Sequence, residues 1–211
     1  YQPSRGLGDV YKRQLLTVPS GDYYLYVGSG PPRDGDVNWH LERLGGLPMV
    51  PIDIKVGGYD HDITSKDVQK YVLDLGSSRQ CKGVFVSIPC KTYSVLRGKS
   101  GVEYSYPLRN SNHVLGIPRA DGTLPPKVVE SNTMSTFTAL LMKAVHDNGG
   151  VFAAESPPGR GANSRFPIAG REDHVSQFDH PDWASLRDNS NARMIYFCLL
   201  YTSDAADDDT R

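Results

Sequence analysis

The sequence predicts an α/β domain built on a mainly parallel sheet, and three observations carry that prediction. Short apolar and β-branched runs at Tyr23–Val27, 49–54, 83–88 and Val151–Ala154 alternate with stretches of helical periodicity, the pattern of strand–helix–strand crossovers. The Val84-Phe85-Val86 run is apolar without alternation, as in a strand buried on both faces. Each run delivers a glycine turn or a polar residue at its end: Gly28-Ser29-Gly30, Asp53, Cys90 and Glu155. Parallel sheets bind ligands at the carboxyl ends of their strands, in the crevice where strand order reverses.

In chain order, Tyr23–Val27 is a strand running into a glycine turn, and Pro31, Pro32 and Gly35 prolong the loop. Asp36 is placed to N-cap a short helix through Leu44, with Gly45 and Gly46 as its stop. A second strand over 49–54 has Asp53 near its end. Ser65 then opens a helix whose apolar positions Val68, Tyr71, Val72 and Leu75 fall at helical spacing. The third strand, 83–88, is followed by a stretch from Lys91 to about Pro126 with no strong periodicity; a loop that long inside a domain is usually functional or mobile. Residues 128–148 form the strongest helix, with Phe137, Leu140, Leu141, Ala144 and Val145 as one stripe. Val151–Ala154 is expected as a fourth buried strand delivering Glu155. Residues 157–188 have no regular pattern, and 193–197 are expected as a fifth strand.

The two ends stand apart from this pattern. Residues 4–14 read SRGLGDVYKRQ and 198–207 read CLLYTSDAAD. A back-translation of DVYKRQ, reverse-complemented and shifted one frame, encodes CLLYTS, so the ends look like a translated transposase adapter from a sequencing library. On that expectation 1–14 and 198–211 are non-native, and 15–197 is an internal fragment of a longer protein, cut short in its sheet.

About 180 residues suffice for one core and one domain. Cys81 and Cys90 are the only thiols inside 15–197, too few for a disulfide framework, so a reducing compartment is expected. The net charge of −1 gives no global basic footprint. No run is long enough to span a membrane and no secretory signal pattern is visible. His113, His146, His174 and His180 lack metal-ligand spacing and are expected as loop or surface histidines. The expected localisation is cytoplasmic in a bacterial or viral setting, or nuclear in a eukaryote.

At the strand ends, Gly28 and Gly30 let a backbone approach a ligand closely; an ordinary tight strand–helix turn uses the same residues. Asp53, at the end of the next strand, suits a ribose hydroxyl pair, or is a solvated strand-end acid. Asp62 could accept from an adenine amino group, or is a loop aspartate. Cys90 follows Pro89, so its backbone is held while the sulfur projects into the crevice. Its thiolate would be a nucleophile in a polar, partly open site, with Lys91 and Arg97 favouring the charge. A small buried hydrophobe is the alternative. Partial burial of Glu155 would raise its pKa and suit it to general acid work; a structural ion pair is the alternative.

Taken in order, Y-V-G-S-G at Tyr26 to Gly30, Asp53-Ile54, Asp62-Ile63, I-P-C ending at Cys90 and E-S-P from Glu155 resemble the catalytic domain of DNA cytosine-C5 methyltransferases. The resemblance spans the chain from Tyr23 to about Phe197. It implies a Rossmann-like class I S-adenosylmethionine-dependent methyltransferase fold, truncated at its C-terminus, with S-adenosylmethionine as cofactor and DNA, or RNA, as partner. By similarity Tyr26, Gly28, Ser29 and Gly30 bed the cofactor, Asp53 and Ile54 flank its ribose, and Asp62 meets its adenine. Cys90 attacks C6 of a flipped cytosine while Glu155 protonates or hydrogen-bonds N3. The segment after Cys90, with Lys91, Arg97, Lys99 and Arg109, matches the family's catalytic loop. Its cations would track phosphates, and Arg160 and Arg165 are further phosphate candidates.

The chain departs from the family pattern at Ile88 (commonly proline), Lys91 (glutamine) and Ser156-Pro157 (Asn-Val), as in divergent domains of mobile elements or viruses. Three other functions stay open. One is methyl transfer to an exocyclic amine, and one a non-catalytic nucleic-acid-binding domain with a retained methyltransferase fold. The third is a cysteine hydrolase using Cys90 with His113 or His146.

Overall fold

The computed structural model describes residues 17–94 and 106–195. Four parallel strands make one sheet: β1 (Tyr23–Val27), β2 (Met49–Ile52), β3 (Cys81–Val86) and β4 (Val151–Ala154). They are ordered β2-β1-β3-β4. The register aligns Val27 with Ile52 and with Val86, and Val86 with Ala154. Five α-helices accompany them: α1 (Val37–Arg43), α2 (Ile54–Gly57), α3 (Lys66–Gly76), α4 (Pro126–Asp147) and α5 (Pro181–Ser190). The architecture is α/β and compatible with a Rossmann-like fold.

Strand alternation sorts the side chains. Leu25, Val27, Val50, Ile52, Val84 and Val86 share one face and are buried in the core with Val72 of α3 and with Phe137, Leu141 and Val145 of α4. The two helices approach closely: a Cβ on Gly76 would stand 2.5 Å from Leu141, so glycine sets the spacing there. Tyr23 locks α3 to the sheet by donating its hydroxyl to the Leu75 carbonyl at 3.0 Å.

Several expectations are met closely. Asp36 caps α1 through its carboxylate, which accepts from Trp39 N at 2.8 Å. Ser65 occupies the N-cap of α3 but makes no side-chain cap bond; Asp62 serves the turn before it by accepting from the amide and hydroxyl of Thr64.

Others are corrected. β2 stops at Ile52 because Asp53 turns the chain, its carboxylate capping α2 at Lys55 N, 2.7 Å away. β3 begins at Cys81, where Tyr23 pairs with it. α4 starts at Pro126, a residue suited to the first helical position. Its expected stripe fails at Leu140, which is exposed. The buried face instead runs through Val128, Met134, Phe137, Leu141 and Val145, together with Ser131, Ser135 and Thr138. β4 is not buried: Val151 is 67% exposed, because among the described residues no strand pairs with its far side. Residues 157–188, expected without regular structure, include the start of α5, which packs on α4 through Trp183 and Leu186. Residues 193–195 form no strand and are exposed, and 196–197 lie outside the described residues.

The path of the chain decides where a ligand can sit. From β1 it moves one way to β2, then returns across β1 to β3 and onward to β4. Strand order therefore reverses between β1 and β3, whose carboxyl ends carry Gly28-Ser29-Gly30 and Ser87-Ile88-Pro89-Cys90.

Candidate active site at the carboxyl edge of the sheet

All four strand ends are stitched together at this edge. Gly28 has φ +76° and lies against β3, where a Cβ would meet the Ser87 carbonyl oxygen at 2.3 Å. Two separate demands, a left-handed backbone and a bare α-carbon, thus fall on one residue. The Gly28 amide donates to Ile52 O at 2.9 Å and the Ser87 amide to Val27 O at 2.8 Å, extending the ladders past the strands. Gly30, φ +64°, faces open space, and its amide donates to the second carboxylate oxygen of Asp53 at 2.9 Å. Asp53 therefore binds the glycine turn with one oxygen and caps α2 with the other. Across the sheet the Glu155 amide donates to Val86 O at 2.8 Å, and Ser87 donates its hydroxyl to the Glu155 carboxylate at 3.5 Å.

Tyr26 is buried beside this edge, edge-to-face with Phe85 at 5.0 Å. Burial pushes its phenol up, and the nearby carboxylates of Glu155, Asp36 and Asp53 push it further, partly offset by Arg33. The acids acting on this phenol outnumber the cation, a balance that favours a cationic ligand. Ser29 is buried, its hydroxyl donating to Gly30 O. Ile54 is exposed at the start of α2. Asp62 is half-buried, and its carboxylate is engaged with Thr64.

Cys90 is half-buried and opens a single 3-10 turn, Lys91–Tyr93. Burial pushes its thiol up; its own backbone amide and Lys91 oppose that, and Glu155 adds to it. Burial thus outweighs Lys91 as a support for the expected thiolate, and Arg97, the second cation of that expectation, lies outside the described residues. Glu155 is exposed, so the partial burial expected to suit it to acid catalysis is also corrected. The reason is its position at the end of an edge strand.

The expected phosphate cations divide. Lys91 is exposed beside Cys90, and Arg165 is exposed over Phe166. Arg160 is half-buried, donating weakly to Phe166 O at 3.5 Å. Arg97 and Lys99 lie outside the described residues. Arg109 is corrected: it is buried, stacked on Tyr93 at 3.9 Å, and donates to Asn132 and Val114 O. Phosphate in solution cannot reach it as it would a surface arginine.

Sequence reasoning passed over His61, and its reading of His174 and His180 as loop or surface histidines is corrected. His61 is buried under Asp53, its Nδ1 accepting the Asp53 amide at 3.4 Å, and burial holds its pKa down. His174 accepts Arg160 N at Nδ1 and lies 3.0 Å from Tyr93 O through Nε2, so it bridges two loops as a neutral ring with Nε2–H donating. His180 is 1% exposed and accepts Asp182 N at Nδ1. Each sits in a polar stretch where no periodicity marks burial. His113 and His146 are exposed, His113 bonded to Asn110 and His146 in edge-to-face contact with Phe152. Among the described residues no group of three or more His, Cys, Asp or Glu is placed to hold a metal ion. No helix there is long and apolar enough to cross a membrane.

The chain matches no protein-family model, no curated protein and no solved structure.

Proposed function

We propose that this chain is a class I S-adenosylmethionine-dependent methyltransferase domain acting on cytosine C5 in DNA through Cys90. The observation that carries the reading is the joint between β1 and β3. Gly28 abuts Ser87, so the cofactor turn and the strand end that holds Cys90 are one rigid unit at the reversal of strand order. Open space before Gly30, the tethered Asp53 carboxylate and the acids that act on Tyr26 fit a cofactor that carries a sulfonium and an ammonium group. When bound, S-adenosylmethionine supplies an electrophilic methyl group.

On this reading the glycine turn admits the cofactor's amino-acid end and Asp53 accepts from its ribose with the lone pairs left free by Gly30 and Lys55. Cys90 loses its proton and adds through sulfur to C6 of a flipped cytosine, while Glu155 holds or protonates N3. That addition makes C5 the nucleophile. After the methyl group has been transferred to C5, a base removes the C5 proton and the thiolate leaves C6, restoring the ring. Lys91, Arg160 and Arg165 supply phosphate contacts; Arg109 is not one of them.

The test is the full chain incubated with methyl-labelled donor and DNA, beside Cys90→Ser. Loss of label transfer in the variant is expected, and transfer that survives undiminished removes Cys90 as nucleophile. Label on an exocyclic amine would move the reading to the amine class. A second reading, a non-catalytic nucleic-acid-binding domain, is favoured by Lys91 where the family has glutamine and by Ser156-Pro157 where it has Asn-Val. It predicts DNA binding with no donor binding by calorimetry.

A further inference from the structure

The buried face of α4 is interrupted by three hydroxyls, those of Ser131, Ser135 and Thr138, and the last two residues are 0% exposed. Alanine would suit a buried helix position better, with a higher helix propensity and no polar group to desolvate. Thr138 is satisfied close at hand: its hydroxyl donates to Met134 O, one turn back, at 2.9 Å. Ser131 and Ser135 reach outward instead. Ser131 Oγ accepts from Thr92 Oγ1 at 2.9 Å, and Ser135 Oγ accepts from Gln177 Nε2 at 3.2 Å. Spaced i, i+4, the two serines stand on one face of the helix, about 6 Å apart along its axis.

The partners of the two serines lead to the two halves of the site. Thr92 is buried in the 3-10 turn that Cys90 opens, a turn closed by the Tyr93 amide donating to Cys90 O at 2.8 Å. Its Oγ1 also accepts from Arg109 Nε at 3.3 Å, which leaves its hydrogen for Ser131. Gln177 is fully buried, and its backbone is set by the capping box of Ser176 and Asp179. With Nε2 committed to Ser135, its Oε1 accepts from Ser156 Oγ at 3.2 Å. Ser156 follows Glu155, whose amide is tied to β3 at Val86 O. The Glu155 carboxylate itself accepts a long bond, 3.5 Å from Ser87 Oγ. Its place therefore depends on its backbone, which Val86 holds on one side and Ser156 on the other.

We propose that Ser131 and Ser135 are positioning residues for the strand-end site. Through Thr92 and Gln177 they fasten the Cys90 turn and the strand end carrying Glu155 to neighbouring turns of α4, and so set the separation of sulfur and carboxylate. The purpose of that separation rests on the methyl-transfer reading, in which Cys90 adds to C6 while Glu155 holds N3. The geometry itself is testable without donor or nucleic acid. Neither serine touches a reacting atom; each acts through its partner. Placement matters at this scale, because a displacement of about 1 Å can cost a reaction about a hundredfold.

The test is alkylation of the full chain by iodoacetamide from pH 7 to pH 10, read at the Cys90 peptide by mass spectrometry. Burial pushes the Cys90 thiol up and Glu155 adds to it, while its own backbone amide and Lys91 oppose them. The midpoint of the rate therefore reports where the carboxylate stands. Ser135→Ala releases Gln177, and Ser156→Ala cuts the same tie outside the helix should the first variant not fold. Each is expected to lower the midpoint by about half a pH unit as Glu155 moves off, and no further when Glu155→Gln is already present. Ser131→Ala, which frees the turn around the sulfur, should lower the midpoint in both backgrounds; an unchanged midpoint removes Ser131 from the assignment. Midpoints unchanged in Ser135→Ala and Ser156→Ala, or falls that persist beside Glu155→Gln, overturn the positioning. Methyl transfer to DNA by the same proteins separates this outcome from the reading it serves. Transfer with unshifted midpoints sinks the positioning alone. Shifts that vanish beside Glu155→Gln uphold the tie even where no transfer is found, and that result counts against the methyltransferase reading instead.

Discussion

Replacing Gly28 by alanine should damage both the fold and the site, and the structure separates the causes. Alanine at φ +76° costs about 1–2 kcal/mol, because the left-handed region brings Cβ against the following carbonyl. At Gly28 the same Cβ would stand 2.3 Å from Ser87 O and 2.8 Å from its carbonyl carbon. Neither atom belongs to a flexible side chain, so β1 and β3 must part, at about 1–3 kcal/mol more by analogy with overpacked cores. The total is about 2–5 kcal/mol. Gly30→Ala is the built-in control: its φ is +64°, but nothing lies within 4 Å of the added carbon, so only the backbone cost of about 1–2 kcal/mol applies. Urea denaturation of the full chain reads the difference. With m near 2–3 kcal/mol/M, Gly28→Ala should lower the midpoint by about 1–2 M and Gly30→Ala by no more than about half of that. Equal losses would refute the argument that close approach to Ser87, rather than torsion alone, reserves position 28 for glycine.

The buried histidines predict acid sensitivity. Burial depresses His61, His174 and His180 below the ordinary value near 6.5. Between the folded and unfolded values the unfolded chain binds more protons, so stability is complete above about pH 6.5 and declines as pH falls through the folded values. The slope is at most about 1.4 kcal/mol per pH unit per histidine. Urea midpoints unchanged between pH 7.5 and 5.5 would contradict the burial, and His180→Gln should flatten the decline. Along α4, Leu141→Ala should cost about 2–5 kcal/mol, since Leu141 is fully buried, and Leu140→Ala, 53% exposed, less than about 0.5 kcal/mol. Chemical denaturation of the pair checks the face of the helix; similar losses would invert it.

Much of this fold was legible because its signals are local. The apolar runs of β1 and β3, the cap at Asp36 and the glycine turn are each set by neighbouring residues, and all appear in the structure. The failures have physical causes of another kind. α5 has only Trp183 and Leu186 to bury, a stripe too thin for periodicity to register, although Pro181 and the acidic Asp182 after it mark its start. β4 has the composition of a buried strand but stands at the edge, and strand order is not a property of the strand's own residues. Arg109 was misjudged for the same reason. A lone arginine in a polar loop reads as solvated, and only the packing of Tyr93, Asn132 and Val114 around it makes it buried. The strand-end set was found because each member sits beside a strand, whereas His61 and His180 are buried in loops with no periodicity and His174 is drawn in by Tyr93, 81 residues away.

Cys90 and Glu155 bear on how the proposed chemistry would start. The resting sulfur is a thiol, held so first by burial and then by the negative Glu155, with Lys91 too weak a counterweight. Because the folded value lies above the usual thiol value of about 8.5, the thiolate fraction should grow nearly tenfold per pH unit across the neutral range. If Cys90 is the nucleophile and its ionisation limits addition, kcat/KM for methyl transfer should rise from pH 7 to pH 9 without a plateau. Lys91→Gln, which removes the side-chain cation that among the described residues opposes the upward push, should lower the rate at every pH in that range. It should also move the rise to higher pH. Glu155→Gln should do the reverse to the ionisation, easing proton loss from Cys90, while removing the group assigned to cytosine N3. Its profile should therefore rise at lower pH yet reach a lower maximum. A rate flat from pH 7 to 9, with Lys91→Gln unchanged, would mean that the sulfur is not being ionised in the rate-determining step, and the nucleophile would have to be sought elsewhere on the edge.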